Sequence, residues 1–127
     1  MNLGYCILYV PDVAAAVAFY ETAFALEKRF VHESGTYAEM ETGATALGFA
    51  AESIASDNVS FRKQRPACEP PAVEIAFVTE DVQAAVDRAV KAGAKLLKKP
   101  TTKPWGQVVS YVADLNGFVV ELCTKVG

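Results

Sequence analysis

Histidine and cysteine, the side chains that most often hold transition metals, are scarce in this sequence. It has one histidine, His32, and three cysteines at positions 6, 68 and 123, with no CxxC pair. Widely spaced cysteines in an odd number favour neither a disulfide framework nor a thiolate zinc site. We therefore interpret all three cysteines as packing residues.

The sequence also lacks a long apolar run and an excess of basic residues. No run approaches the roughly 20 apolar residues of a membrane-spanning helix, and twelve Lys and Arg against fifteen Asp and Glu give a net charge of −3. Basic residues cluster only between Lys95 and Lys103, which does not support nucleic-acid binding. The N-terminal segment has no basic region before its apolar run, so no secretion signal is predicted. We expect a cytoplasmic protein with no membrane or nucleic-acid partner, whose acidic balance favours cationic ligands.

What the sequence does contain is 52% apolar residues in 127 positions, enough for one core. Its first half predicts a strand, a helix that Asp12 caps, and three short strands. The helix has one apolar stripe, made of Val13, Val17, Tyr20 and Phe24. The predicted strands are residues 4–10, 28–33, 36–41 and 44–50.

The second half repeats this pattern, with a helix that Asp81 caps and Gly93 ends. Its predicted strands are residues 73–78, 95–97, 107–112 and 118–123. The segment DVAAAV at 12–17 aligns with DVQAAV at 81–86, an offset of 69, whereas Tyr37 and Gly43 align with Tyr111 and Gly117 at an offset of 74. The difference implies a short insertion, which we place in the segment PTTKPWG.

This duplication predicts an α+β fold of two tandem βαβββ modules, about residues 1–51 and 72–127, in a single domain. Residues 52–71 contain three prolines and are predicted to be a linker with a short strand at its start. Two modules related by a pseudo-twofold axis would form a partly open, eight-stranded barrel-like sheet with helices outside. Because strand side chains alternate in direction, equivalent residues would line the concave face. The two offsets make Tyr5 the counterpart of Glu74 and Leu47 the counterpart of Glu121.

These motifs resemble those of the vicinal oxygen chelate superfamily, and the resemblance covers nearly all of the chain. The superfamily includes glyoxalase I, fosfomycin resistance proteins, extradiol dioxygenases and bleomycin resistance proteins. The motifs that carry the resemblance are YVPDVAAAVAFYETAF at 9–24, EIAFVTEDVQAAVDRAVKAGAK at 74–95 and PWGQVVSYVADLNGFVVELCT at 104–124.

The resemblance implies four metal-ligand positions, which in the superfamily's enzymes hold His or Gln, then Glu, His and Glu. In this chain the four positions correspond to Tyr5, Leu47, Glu74 and Glu121, of which only Glu121 keeps the usual ligand. Leucine cannot coordinate a cation, and a neutral phenol is a poor ligand. We therefore expect no metal, no other cofactor and no catalytic residue, as in the bleomycin-resistance-like branch without a metal.

Glu74 interrupts an apolar strand, VEIAFV, and three interpretations stay open. It is a surface carboxylate, a polar wall of a ligand cleft, or a metal ligand in an unusual site. In a cleft, Glu74 and Glu121 would attract a cation or share a proton, and a shared proton would suit one of them as a general acid or base.

Aromatic residues lie near the same positions. Trp105 sits in a loop between Pro104 and Gly106, where it either stacks on a planar ligand or covers the end of the barrel or a subunit contact. Alternation places Tyr111 on the Trp105 side of its strand and Phe49 beside Leu47. The predicted ligand-binding set is Tyr5, Leu47, Phe49, Glu74, Trp105, Tyr111 and Glu121, an apolar cleft with a few polar groups.

The sequence thus favours a metal-free protein that binds a small, cationic and aromatic molecule, with drug sequestration as one form of this function. The resemblance implies a homodimer. The alternative is a metal-dependent lyase, isomerase or dioxygenase of the glyoxalase type that acts on a small oxygenated substrate. A third possibility is a structural or regulatory module without a ligand.

Overall fold

The computed structural model describes residues 1–127, which fold as two compact units, residues 1–63 and 64–127. The first unit contains β1 (Tyr5–Val10), α1 (Val13–Phe24), β2 (Lys28–Val31), β3 (Tyr37–Met40), β4 (Ala46–Ala51) and α2 (Glu52–Ala55). The second contains β5 (Glu74–Val78), α3 (Val82–Lys91), β6 (Lys95–Thr102), β7 (Val108–Ala113) and β8 (Val119–Cys123). The predicted α+β fold of two tandem βαβββ modules is confirmed.

Each unit is built on one four-stranded mixed sheet, and the two sheets have the same topology. The strand orders are β1-β4-β3-β2 and β5-β8-β7-β6. In both, the first strand pairs in parallel with the last, and the remaining neighbours are antiparallel. Ile7 lies opposite Gly48, and Ala76 lies opposite Glu121. The duplication seen in the sequence is therefore a duplication of topology and of first-strand register.

Aspartate caps begin both long helices. The Asp12 Oδ1 atom accepts a hydrogen bond of 3.0 Å from the backbone N–H of Ala15, and Asp81 Oδ1 accepts one of the same length from Ala84. Such caps satisfy a helix N–H group that has no partner within the helix. In the first unit α1 packs on β4, where the fully buried rings of Tyr20 and Phe49 lie 5.0 Å apart.

The two helices end differently. At the end of α3, Gly93 has a φ of 112°, its N–H donates to Val90 O, and Ala94 N–H donates to Ala89 O. This pair of bonds is a Schellman motif, which glycine favours. Helix α1 instead ends at Ala25, which has a φ of 57° and is the one non-glycine residue in the left-handed region.

Two predictions about the chain between these elements are wrong. The segment after β4 begins with the short helix α2 rather than a strand, since Glu52 and Ala55 are buried there and Ser56 N–H donates to Glu52 O. Strand β6 runs to Thr102, well past the predicted end at residue 97. It is an edge strand with two irregularities in its pairing, which is where a strand tolerates a proline such as Pro100.

The cysteines and the helices bear on two further points. All three cysteines are free, but Cys6 is exposed, so the packing interpretation is wrong for that residue. No helix has the combination of length and apolar character that a membrane span requires.

We predict that Ala25→Gly stabilises the protein by about 1 kcal/mol, because an L-residue in the left-handed region costs roughly 1–2 kcal/mol and glycine avoids most of this cost. Urea unfolding followed by circular dichroism measures the change. The matched control is Ala92→Gly at the end of α3, where φ is −78°. This control should lose about 0.5–1 kcal/mol, and a loss at both positions would contradict the prediction.

Candidate functional site

The second sheet brings three of the predicted residues to one face. Tyr111 lies opposite Glu121, and Glu121 lies opposite Ala76, so their side chains point the same way. Glu74 is two residues before Ala76 on β5 and shares that direction. We call this surface the acidic face: Glu74, Tyr111, Glu121 and Cys123.

The centre of the acidic face is a hydrogen bond between two carboxyl groups. The pKa of Glu74 is raised from 4.5 to about 7. The largest cause is the hydrogen bond between the Glu74 and Glu121 side chains, and partial burial and the charge of Glu121 follow. An ionised carboxylate only accepts hydrogen bonds, so a bond between two carboxyl groups requires one of them to hold a proton. Near neutral pH the pair therefore carries one shared proton and can release it.

Tyr111 and Cys123 both form hydrogen bonds with Glu121. Tyr111 hydrogen-bonds to Glu121, and burial followed by the charges of Glu121 and Glu74 raises the pKa of its phenol. Cys123 is buried, and burial followed by a hydrogen bond with Glu121 raises the pKa of its thiol to about 11. A thiol with this pKa is protonated at neutral pH and is not a nucleophile.

Trp105 lies in the turn that leads into β7 and is 64% exposed. The turn is closed by a bond from Gly106 N–H to Lys103 O of 2.8 Å. The indole Nε1–H donates to Gln107 Oε1 at 2.9 Å, and Gln107 Nε2 donates to Thr124 O at 2.9 Å. Gln107 also hydrogen-bonds to Cys123. Trp105 is thus an exposed ring tied through polar contacts to the acidic face.

An open hollow of about 310 Å³ lies beside Glu74. It is lined by Pro71, Ala72, Val73, Glu74 and Val119. Partial desolvation of the Glu74 carboxyl is the second cause of its raised pKa.

On the first sheet, Tyr5 and Leu47 point to opposite faces. Tyr5 shares a face with Ile7 and is 61% exposed. Leu47 pairs with Cys6, which points to the opposite side, and the residue that pairs with Ile7 is Gly48. The first-sheet counterpart of Glu121 is therefore Gly48, and the predicted equivalence of Leu47 and Glu121 is wrong.

The offset of 74 behind this error is one residue too large for the last strand and two too large for the strand before it, where Glu39 and Tyr111 are counterparts. Six residues, 41–46, separate Met40 from its partner Leu47, whereas seven residues, 113–119, separate Val112 from Val120. A slip of one residue moves every side chain of a strand to the other face. Phe49 moves with Leu47, and both are buried on the side that α1 covers. Their prediction as cleft residues is therefore corrected to core residues.

A polar cluster that was not predicted from the sequence lies on the face of the first sheet that carries Tyr5. Glu39 lies opposite Gly48 and is 7% exposed. Its carboxylate accepts a hydrogen bond of 2.8 Å from the Tyr37 hydroxyl and lies 3.4 Å from Arg29 Nη1. Arg29 also forms an ion pair of 2.7 Å with Glu41. Side-chain alternation along YAEM (37–40) places Tyr37 and Glu39 on one face of β3. Only the correct register of β4 shows that Glu39 lies beside Gly48.

The sequence profile of the Glyoxalase/Bleomycin resistance protein/Dioxygenase superfamily matches residues 2–122. The chain belongs to this superfamily. No curated protein sequence matches it.

Solved structures with the superfamily's fold include three that are similar to this chain. A glyoxalase-related enzyme from Fulvimarina pelagi shares 20% identity, over 98% of this chain and 88% of that chain, with a TM-score of 0.83. A protein from Agrobacterium tumefaciens shares 21%, over 98% and 94%, with a TM-score of 0.78. A glyoxalase/bleomycin resistance protein/dioxygenase family enzyme from Burkholderia phytofirmans shares 21%, over 98% of both chains, with a TM-score of 0.76. Identities this low show a common fold alone.

The residues at the superfamily's metal-ligand positions do not fit a transition metal. Gly48 has no side chain to offer, Tyr5 is a phenol, and Glu74 carries the shared proton that a metal would have to displace. No group of three or more His, Cys, Asp or Glu side chains is arranged to hold an ion. The one histidine, His32, follows β2 on an exposed turn, where its Nδ1 contacts Ser34 Oγ at 2.7 Å.

Proposed function

We propose that this superfamily member binds a small cationic, aromatic molecule without a metal, on the acidic face and next to Trp105. The observation that carries the proposal is the hydrogen-bonded carboxyl pair, Glu74 and Glu121, which raises the pKa of Glu74 to about 7. Ionising both groups would place two negative charges side by side, and the shared proton prevents this repulsion. A ligand cation relieves that repulsion.

The binding step is an exchange of one cation for another. When a ligand ammonium group approaches, the shared proton leaves and both carboxylates accept charge-assisted hydrogen bonds from the ammonium. Tyr111 keeps its bond to Glu121 and so fixes the direction of that carboxylate. The net result is one proton released for each cation bound below pH 7.

The aromatic part of the ligand is assigned to Trp105. An exposed indole offers a flat face for stacking and for cation–π attraction, worth about 0.5–1 kcal/mol at an exposed site. The bond to Gln107 limits the motion of the ring, which lowers the entropy cost of stacking.

Sequestration is the mechanism that we propose, with a basic, ring-containing drug of the bleomycin kind as one candidate ligand. Three further elements of the proposal come from the resemblance and from composition. They are a homodimeric assembly, a cytoplasmic location, and the absence of nucleic-acid and membrane partners.

We predict that benzylammonium binds in the millimolar range at pH 8 and that benzyl alcohol, its neutral analogue, binds more weakly. Glu74→Gln and Glu121→Gln should each weaken benzylammonium binding about 10- to 100-fold, because each removes a charge-assisted hydrogen bond. Trp105→Ala should weaken it about 2- to 5-fold. Titrations followed by NMR of the ¹⁵N-labelled protein measure these affinities.

The matched control is Glu80→Gln, which removes an exposed carboxylate two residues after the end of β5. It should leave the affinity unchanged. Equal binding of benzylammonium and benzyl alcohol, or equal losses in Glu80→Gln and Glu74→Gln, would contradict the proposal.

The pH dependence of binding has a defined sign. Because the pKa of Glu74 is about 7, the proton must be displaced below pH 7 but not above it. The association constant for benzylammonium should therefore rise by up to about tenfold per pH unit between pH 5.5 and 7 and level off above pH 7. In Glu74→Gln the rise should disappear, and a flat profile in the unmodified protein would contradict the exchange of proton for cation.

A second function, a lyase or isomerase that moves a proton, is favoured by the same pKa. A carboxyl that titrates near 7 is suited to act as a general acid or base at neutral pH. The metal-dependent form of this alternative lacks a suitable ligand set in the chain. Thermal unfolding with Ni²⁺, Zn²⁺ or Mn²⁺ separates the two, since a stabilisation of many degrees would favour a metalloenzyme over metal-free binding.

A further inference from the structure

The face of the first sheet that carries Tyr5 has a groove-like pattern of side-chain sizes. Its central strand β4 contributes only small residues, and both neighbouring strands contribute larger ones. The small residues are Ala46, Gly48 and Ala50, and the larger ones are Tyr5, Ile7 and Tyr9 on β1 and Tyr37 and Glu39 on β3. Phe30 of the edge strand β2 lies opposite Glu39 and extends the aromatic border.

The Tyr37 hydroxyl packs over the backbone of Gly48. A Cβ atom built on Gly48 would lie 2.8 Å from the Tyr37 oxygen and 3.3 Å from two ring carbons. The phenol thus occupies the volume next to the position where the second sheet carries Glu121. A side chain at position 48 would displace the hydroxyl.

The Tyr37 hydroxyl can still accept a hydrogen bond. Its proton goes to Glu39 Oε2 at 2.8 Å, so the oxygen keeps lone pairs that accept a hydrogen bond. Burial, followed by the bond to Glu39, raises the pKa of Tyr37 to about 12, so the phenol is neutral at all physiological pH values. Tyr37 is half-buried and within reach of solvent.

Arg29 is the cation of the cluster and contacts both of its carboxylates. Arg29 contacts Glu39 at 3.4 Å and Glu41 at 2.7 Å and donates to Gly43 O at 3.0 Å. Glu39 is buried and held on both oxygens, unlike the exposed carboxyl of Glu74. This site therefore has little capacity for an ammonium group, in contrast to the acidic face.

Aromatic surface completes the site. The Phe30 and Tyr37 rings lie 6.1 Å apart at an angle of 49°, and Phe30 is 41% exposed. Tyr5 is 61% exposed and is close enough to Tyr37 for its charge to affect the Tyr37 pKa. A few aromatic side chains around one fixed polar atom is the usual composition of a small-molecule site.

We propose that the first sheet carries a second binding site, in which the Tyr37 hydroxyl oxygen accepts a hydrogen bond from the O–H or N–H group of a neutral aromatic ligand that packs against Tyr5 and Phe30. Arg29 and Glu39 act as positioning residues that hold the phenol over Gly48. The site rests on the first unit alone and does not depend on the acidic face.

The test compares two probes that differ in one hydrogen-bond donor. Phenol has an O–H group, and anisole carries a methyl group in its place. We expect phenol to shift the amide NMR signals of β3 and β4 and to bind more tightly than anisole. Tyr37→Phe should weaken phenol binding about fivefold or more, the value of one hydrogen bond, and should leave anisole binding unchanged.

Two further variants keep the proposal falsifiable. Gly48→Ala places a methyl group 2.8 Å from the Tyr37 oxygen, too close for the hydroxyl to keep its position, and should weaken phenol binding even if Tyr37→Phe proves unstable. Tyr111→Phe removes the phenol of the acidic face and should leave phenol binding unchanged. Equal binding of phenol and anisole, an unchanged affinity in both first-sheet variants, or signal shifts confined to β7 and β8 would overturn the proposal. None of these results depends on benzylammonium, so the two proposals fail separately.

Discussion

Two carboxyl groups side by side on adjacent strands are the constraint on which this account of the molecule depends. The parallel register of β5 and β8 sets Ala76 opposite Glu121, which brings Glu74 and Glu121 to the same face. Backbone pairing fixes the Cα positions of the two glutamates and so keeps their side chains next to each other. The repulsion is relieved by a proton near neutral pH, and a bound cation would relieve it equally well. Local register and a raised pKa are thus consequences of one backbone arrangement, and the proposed preference for cationic ligands rests on the same arrangement.

Each module carries a glutamate on the corresponding face of its sheet, and the two glutamates have different kinds of hydrogen-bond partner. On the first sheet, Glu39 has a positively charged partner in Arg29 and accepts a hydrogen bond from the Tyr37 hydroxyl. On the second sheet, the hydrogen-bond partners of Glu121 are Glu74, Tyr111 and Cys123, none of which carries a positive charge. Duplication preserved the strand order while the polar groups on the two sheets diverged. One face is left with an acceptor oxygen and the other with a titratable acid pair.

Much of the fold could be predicted from local signals. The helix caps at Asp12 and Asp81 and the end of α3 at Gly93 depend only on neighbouring residues. The repeat at an offset of 69 is visible when the two halves of the sequence are compared. The register of β4 could not be predicted in the same way, because it depends on one extra residue in the second hairpin. Leu47 and Phe49 were misplaced for that reason, and Glu39 was missed because its neighbour Gly48 was assigned to the wrong face. The partners that set the Glu74 pKa likewise depend on pairing between strands about 45 residues apart.

The protonation state of Glu74 tests this account most directly. NMR of the ¹³C-labelled side-chain carboxyl groups, followed over pH 3 to 9, measures it without any ligand. The account predicts a midpoint for Glu74 of about 7, which Glu121→Gln moves toward 4.5 because the hydrogen bond with Glu121 is the largest cause of the shift. A Glu74 midpoint near 4.5 in the unmodified protein would contradict it, since the two carboxyl groups would then share no proton.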